Sequence, residues 1–225
     1  DMKKIIMGLL AAATLSTPVL ADSLKENQYK TMHSMGCMLL QECTDNVQEV
    51  FSLLDVSSQY PNTEAFTPVA NEFNNMLVSL NQVGVRVYLA DEKYFPKGHR
   101  GVYHTVSNNF FLNRKFMDTP ATLMMVMRHE GWHAAQDCMA GTIDNSLIAI
   151  IKPEDEVPMI WRVLAERTYP ESAVPWEAEA QWAGRTENMT MEALQSCAIY
   201  SQKLEVIRVG FFGFQTGYCD FYYLL

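Results

Sequence analysis

The stretch RHEGWHAAQDC, residues 128–138, decides how the rest of the chain is read. His129 and His133 stand four apart, and Glu130 follows the first of them directly. On an α-helix, positions four apart lie one above the other, so two imidazoles can meet one cation. Zinc accepts such a pair, and a catalytic zinc takes three protein ligands and a water. A carboxylate beside that water is placed to accept its proton. The pattern therefore predicts Zn2+ held by His129 and His133, Glu130 as general base, and a third ligand from another element.

The flanks agree that this stretch is helical. Asp118-Thr119-Pro120 is a helix-start signal, and Gly141 is a stop residue. Upstream, VGVRVYLA (83–90) alternates as a half-buried strand does, and GVYHTVSNNFFLN (101–113) splits at Ser107-Asn108-Asn109 into a hairpin or one bent strand. Residues 23–56 read as helical, interrupted at Gly36, with a second helix from about Pro68 to Leu80. Beyond the histidines, helices are expected over about 154–168, from 174 to about 187, and after Asn188. Helices, a small antiparallel sheet and more helices make a mostly helical α+β domain.

The opening of the chain reads as a different compartment signal. Lys3 and Lys4 precede an apolar run from Ile5, and a small-residue site ends at Ala21, which is the layout of a cleavable secretory leader. The expected division is residues 1–21 as leader, with Asp1 outside the native start at Met2, and 22–225 as one domain with a helical N-terminal segment over 22–82. The product would be periplasmic or secreted. With 26 acidic against 17 basic residues, the net charge is −9, which disfavours nucleic acid as a partner. No later segment has the length and apolarity of a membrane span.

Five cysteines, at 37, 43, 138, 197 and 219, lack the CxxC spacing of a metal site. In an oxidising compartment they favour disulfides, with one thiol left over. Position alone suggests Cys138 with Cys197, which would tie the histidine helix to a later one. Met124, Met125 and Met127 follow helical packing positions and read as core filling rather than copper ligands.

Two known patterns for the third ligand fit poorly. The residue six beyond His133 is Met139, where a metzincin has histidine, and Asp144 in GTIDN (141–145) lies one residue early for an aspzincin. PWEAEAQWA (175–183) fits better, because Glu177-Ala178-Glu179-Ala180 offers a Glu-x-x-Ala element. HEGWH followed by such an element resembles the gluzincin branch of zincin metallopeptidases, compact single-domain type, over about residues 83–187. That resemblance implies a zincin-like fold and a zinc-dependent hydrolase acting on peptide or protein substrates. It also implies Glu177 as the third ligand, with Glu179 the alternative, because Ala180 and Gln181 then fall at the family offsets. Relatives carry aspartate where this chain has Gln181, and there the aspartate orients the first histidine. The other reading is a zincin-fold protein that binds metal or a partner without catalysis.

The resemblance further implies that an edge strand within 101–113 holds an extended substrate by backbone pairing. Tyr103, His104, Tyr169, Arg185 and Tyr200 are candidate donors to an oxyanion, though spacing singles out none of them. Trp132, Trp176 and Trp182 are expected to wall the site. Glu179 reads as a solvated charge, and His33 and His99 as surface residues.

Overall fold

The computed structural model describes residues 6–7, 45–105, 107–141 and 147–199. Its elements in order are β1 (Val47–Glu49), α1 (Leu53–Ser57), α2 (Ala70–Gln82), β2 (Arg86–Ala90), β3 (Gly101–His104), β4 (Asn109–Asn113), α3 (Pro120–Met139), α4 (Met159–Thr168), α5 (Val174–Ala183) and α6 (189–199). The described residues are mixed α and β, with six α-helices and a four-stranded sheet. No helix among the described residues is long and apolar enough to cross a membrane.

The sheet runs in the order β1-β2-β4-β3. β1 pairs antiparallel with β2, and β3 with β4, but β2 and β4 run parallel. The expected antiparallel sheet is therefore mixed. The hairpin forms as read, and its second strand, not its first, adds to β2. β3 is left on the edge beside α3.

Both faces of this sheet are covered. Val87, Leu89, Tyr103, Phe110 and Leu112 face a core shared with Phe73, Met76 and Leu80 of α2 and Leu123, Met124 and Met127 of α3. The methionines at 124 and 127 thus fill the core as expected. Tyr94 and Phe95, from the link after β2, cover the other face over Ala90, Val102 and Phe111. Burial on both sides explains why NFFLN reads as an unbroken apolar run instead of an alternation.

α3 begins and ends where its flanks indicate. The Thr119 hydroxyl accepts from the Thr122 amide, Pro120 opens the first turn, and Gly141 leaves in the left-handed region at φ 130°. Other boundaries move for local reasons. Of the long helix expected to reach residue 56, the described residues include only the five of α1, begun by the Asp55 carboxylate capping the Ser52 amide at 2.9 Å. Just upstream, Asn46 turns at φ 57° and sends Val47–Glu49 into the sheet. Residues 23–44 lie outside the described residues, as do most of the leader and the tail beyond 199. α4 starts at Met159, later than expected, because Pro158 holds the residue before it out of the helical region. α5 stops at Ala183, short of 187, where Gly184 lets the chain turn close against α3; a Cβ there would come within 3.2 Å of the Met125 carbonyl oxygen.

Cys138 and Cys197 form a disulfide joining the end of α3 to α6. The other three cysteines lie outside the described residues. Ile6–Met7 makes a two-residue antiparallel ladder with Leu147–Ile148. Those first residues fall within the stretch expected to be a leader.

Candidate metal centre

α3 carries the two histidines, and its other contacts fix how it sits. Arg128 donates to both carboxylate oxygens of Glu72 on α2, at 2.7 and 2.6 Å, and its carbonyl accepts from the Thr190 hydroxyl of α6 at 2.7 Å. Gly131, between the histidines, lets α6 approach closely, since a Cβ there would come within 2.9 Å of Thr190 Cγ2. With α3 held on that side, His129 and His133 turn toward α5.

There they meet Glu177. The two imidazole Nε2 atoms are 3.3 Å apart, and Glu177 Oε2 lies 3.5 Å from the first and 3.6 Å from the second. All three side chains are buried, and this oxygen makes no hydrogen bond. A buried carboxylate oxygen facing two ring nitrogens, with no donor of its own, is what a cation between them would satisfy. His129, His133 and Glu177 can therefore hold a metal ion.

Glu130 points the other way, toward the sheet edge. Its Oε2 accepts from the Tyr103 amide of β3 at 2.9 Å, while Oε1 is buried without a hydrogen-bond partner. β3 comes this close because residue 101 is glycine; a Cβ there would meet Val126 Cγ1 at 2.5 Å and Glu130 Cγ at 3.1 Å. Burial and the nearby Glu177 charge push the Glu130 carboxyl up to about 8, against the opposing pull of His133 and the Tyr103 amide. For His133, burial pulls the other way, but the carboxylates of Glu177 and Glu130 and a bond to Gln136 outweigh it and raise the ring to about 9. His129 falls below its ordinary value, chiefly through burial.

Glu179 corrects the expectation of a solvated charge. It is fully buried and turned away from the imidazoles. Its carboxylate accepts from Trp132 Nε1 at 3.0 Å, Gln136 Nε2 at 2.8 Å, and the amides of Ile151 and Lys152 at 3.2 and 2.6 Å. Two residues apart on a helix, Glu177 and Glu179 face different neighbours, and the one matching the Glu-x-x-Ala offset faces the histidines. Gln181 does not address His129. Its oxygen accepts from Arg185 at 3.3 Å and its amide nitrogen donates to the Tyr169 hydroxyl at 3.4 Å.

The candidate oxyanion donors separate clearly. The Tyr103 hydroxyl is bound to Asp137 at 2.6 Å, His104 Nδ1 to Ser107 at 2.9 Å, and Arg185 stacks over the Trp161 ring. Tyr200 lies outside the described residues, as do Asp144 and His33. Tyr169 is the member of this set whose hydroxyl reaches the site. Burial and the carboxylates of Glu177 and Glu130 hold it well above its ordinary value. Trp132 and Trp176 are buried around α5, whereas Trp182 packs with Val157 and Ala165 beneath α4.

His99 is a second correction. It is buried, its Nδ1 has no hydrogen-bond partner, and burial pulls the ring down to about 4. Its charge state is also coupled to Glu177, which places it in the neighbourhood of the centre.

No protein-family model, curated protein or solved structure matches this chain.

Proposed function

We propose that this chain is an exported zinc metallopeptidase of zincin-like fold, hydrolysing peptide or protein substrates. The observation that carries this reading is the spacing of the three ligand atoms. Atoms bound to one tetrahedral zinc at about 2.0–2.1 Å stand about 3.3 Å from each other. The three separations here are 3.3, 3.5 and 3.6 Å.

Zinc held there would polarise a carbonyl oxygen and lower the pKa of a water to near neutrality. The protein's own share follows from geometry. Tyr103 holds one oxygen of Glu130, and the other is unpartnered and available to take a proton from water and return it to the departing amine. Tyr169 is the residue placed to donate to a developing oxyanion. β3 lies at the sheet edge beside α3, where a substrate strand would add, but its Tyr103 amide is engaged by Glu130. Pairing would therefore use its other outward backbone groups.

One observation favours the alternative, a metal-binding domain without catalysis. His129, Glu130, His133 and Glu177 are 0–2% exposed, so a substrate reaches them only if neighbouring elements part. A single comparison distinguishes the two. The purified chain is assayed for zinc and then, beside Glu130→Gln, for cleavage of a mixed peptide library. Zinc in both proteins, with cleavage at least about 100-fold slower in the variant, supports the peptidase. Zinc without Glu130-dependent cleavage supports the binding domain, and a chain that takes up no zinc supports neither.

A further inference from the structure

Gln136 sits on α3 three residues beyond His133, fully buried, with a partner for each end of its amide. Its Oε1 lies 2.8 Å from His133 Nδ1, and its Nε2 lies 2.8 Å from Glu179 Oε2 and 3.1 Å from the Trp176 carbonyl oxygen. The amide orientation follows from these partners. A carboxylate and a carbonyl only accept, so the NH2 group must face them, and a flipped amide would set oxygen against two oxygens. Oε1 is then left facing His133, and because it too only accepts, the proton must sit on His133 Nδ1. The lone pair that can bind a metal is thereby assigned to Nε2, the atom that faces His129 and Glu177.

Behind Gln136 stands the Glu179 carboxylate. Trp132, Ile151 and Lys152 supply its remaining donors, fixing both of its oxygens. Of these donors, Gln136 is the one whose side chain is also within hydrogen-bonding distance of a histidine of the centre.

We propose that Glu179 is the positioning carboxylate of the metal centre and acts on His133 through the Gln136 amide, setting the ring's tautomer and orientation and raising its basicity as a ligand. This inference rests on the reading that His129, His133 and Glu177 hold a metal. It also accounts for Gln181, since the negative charge that the resemblance places directly beside the first histidine here reaches the second one through an amide. Carboxylates behind ligating histidines work in this way, and losing one weakens metal binding.

The test is a competition titration of Zn2+ against a chromophoric chelator, using the full chain and three variants. Gln136→Met keeps volume but removes the relay, and Glu179→Gln keeps shape but removes the charge. Ser79→Ala removes the side-chain bond of a buried residue on α2, away from the relay. Gln136→Met and Glu179→Gln are expected to bind zinc about 10- to 100-fold more weakly than the parent, and Ser79→Ala within about twofold of it. Equal affinity in all four proteins overturns the relay alone, and a Ser79→Ala loss as large as the others overturns it as a specific effect. A parent that binds no zinc overturns the relay together with the metal reading. Should a variant not fold, nitrogen-15 NMR of the zinc-loaded parent decides. An exchange-protected proton on His133 Nδ1 supports the relay, and a ring bound to metal through Nδ1 overturns it.

Discussion

The two oxygens of Glu130 differ in their surroundings, one accepting from the Tyr103 amide and the other buried without a hydrogen-bond partner. The elevated pKa of Glu130 and that of His133 have a consequence for stability, which can be read in chelator-treated protein. Glu130 rises from 4.5 to about 8, and His133 from 6.5 to about 9. Both groups bind their protons more tightly folded than unfolded, so each favours the fold below its unfolded value and loses that contribution as pH climbs through its folded one. The melting temperature of the chelated chain should therefore fall between pH 6.5 and pH 9, above the range in which the lowered His99 and His129 add stability as pH rises. Added zinc, which requires His133 Nε2 free of its proton, should restore more stability at the upper end of that range. A flat or rising curve for the chelated protein would contradict these environments. Glu177→Gln should abolish tight zinc binding, because it removes the charge on which both imidazoles converge.

Among the elements, β3 and α3 depend on each other through a missing side chain. Gly101→Ala sets a methyl group 2.5 Å from Val126 Cγ1, which is branched, packed in the core and unable to swing away. The strand must lift, at a cost of about 1–3 kcal/mol. As it lifts, the Tyr103 amide leaves Glu130. The expected result is a lower urea midpoint together with a peptidase loss larger than the zinc loss. The elements legible in the sequence were those whose signals are local. The Thr119-Pro120 start and Gly141 stop marked α3, and the Asn108-Asn109 break marked the hairpin. β1 was not legible, because three residues become a strand only by pairing with β2, and that pairing is set by the fold. Nor was the parallel pairing of β2 with β4, since an alternating pattern records which face is buried and not the direction of the neighbour. At the site, a fixed spacing pointed to His129 and His133, and an offset pointed to Glu177, the three residues that can hold a metal ion. Glu179, Gln136 and His99 follow no spacing rule. Their roles come from partners brought together across α3, α5 and the link before β3.

For the molecule as a whole, the Cys138–Cys197 bridge closes a loop of 59 residues that contains α4, α5 and Glu177. Tethering this much chain restricts the unfolded ensemble, so Cys138→Ala with Cys197→Ala should cost about 2–4 kcal/mol in denaturant unfolding. The ligand geometry should survive, because Arg128–Glu72 and the Trp132–Glu179 contact hold α3 and α5 independently of the bridge. Unchanged stability in the double variant would mean that the bridge does not form in solution.

The depth of the imidazole–carboxylate cluster carries one last implication. The three ligand side chains are buried, so an ion held between them would exchange with a radioactive tracer no faster than the surrounding elements part. A peptide brought to the same depth would need a wider opening than the ion does, so any contact that holds those elements shut would slow a peptidase before it slowed metal exchange.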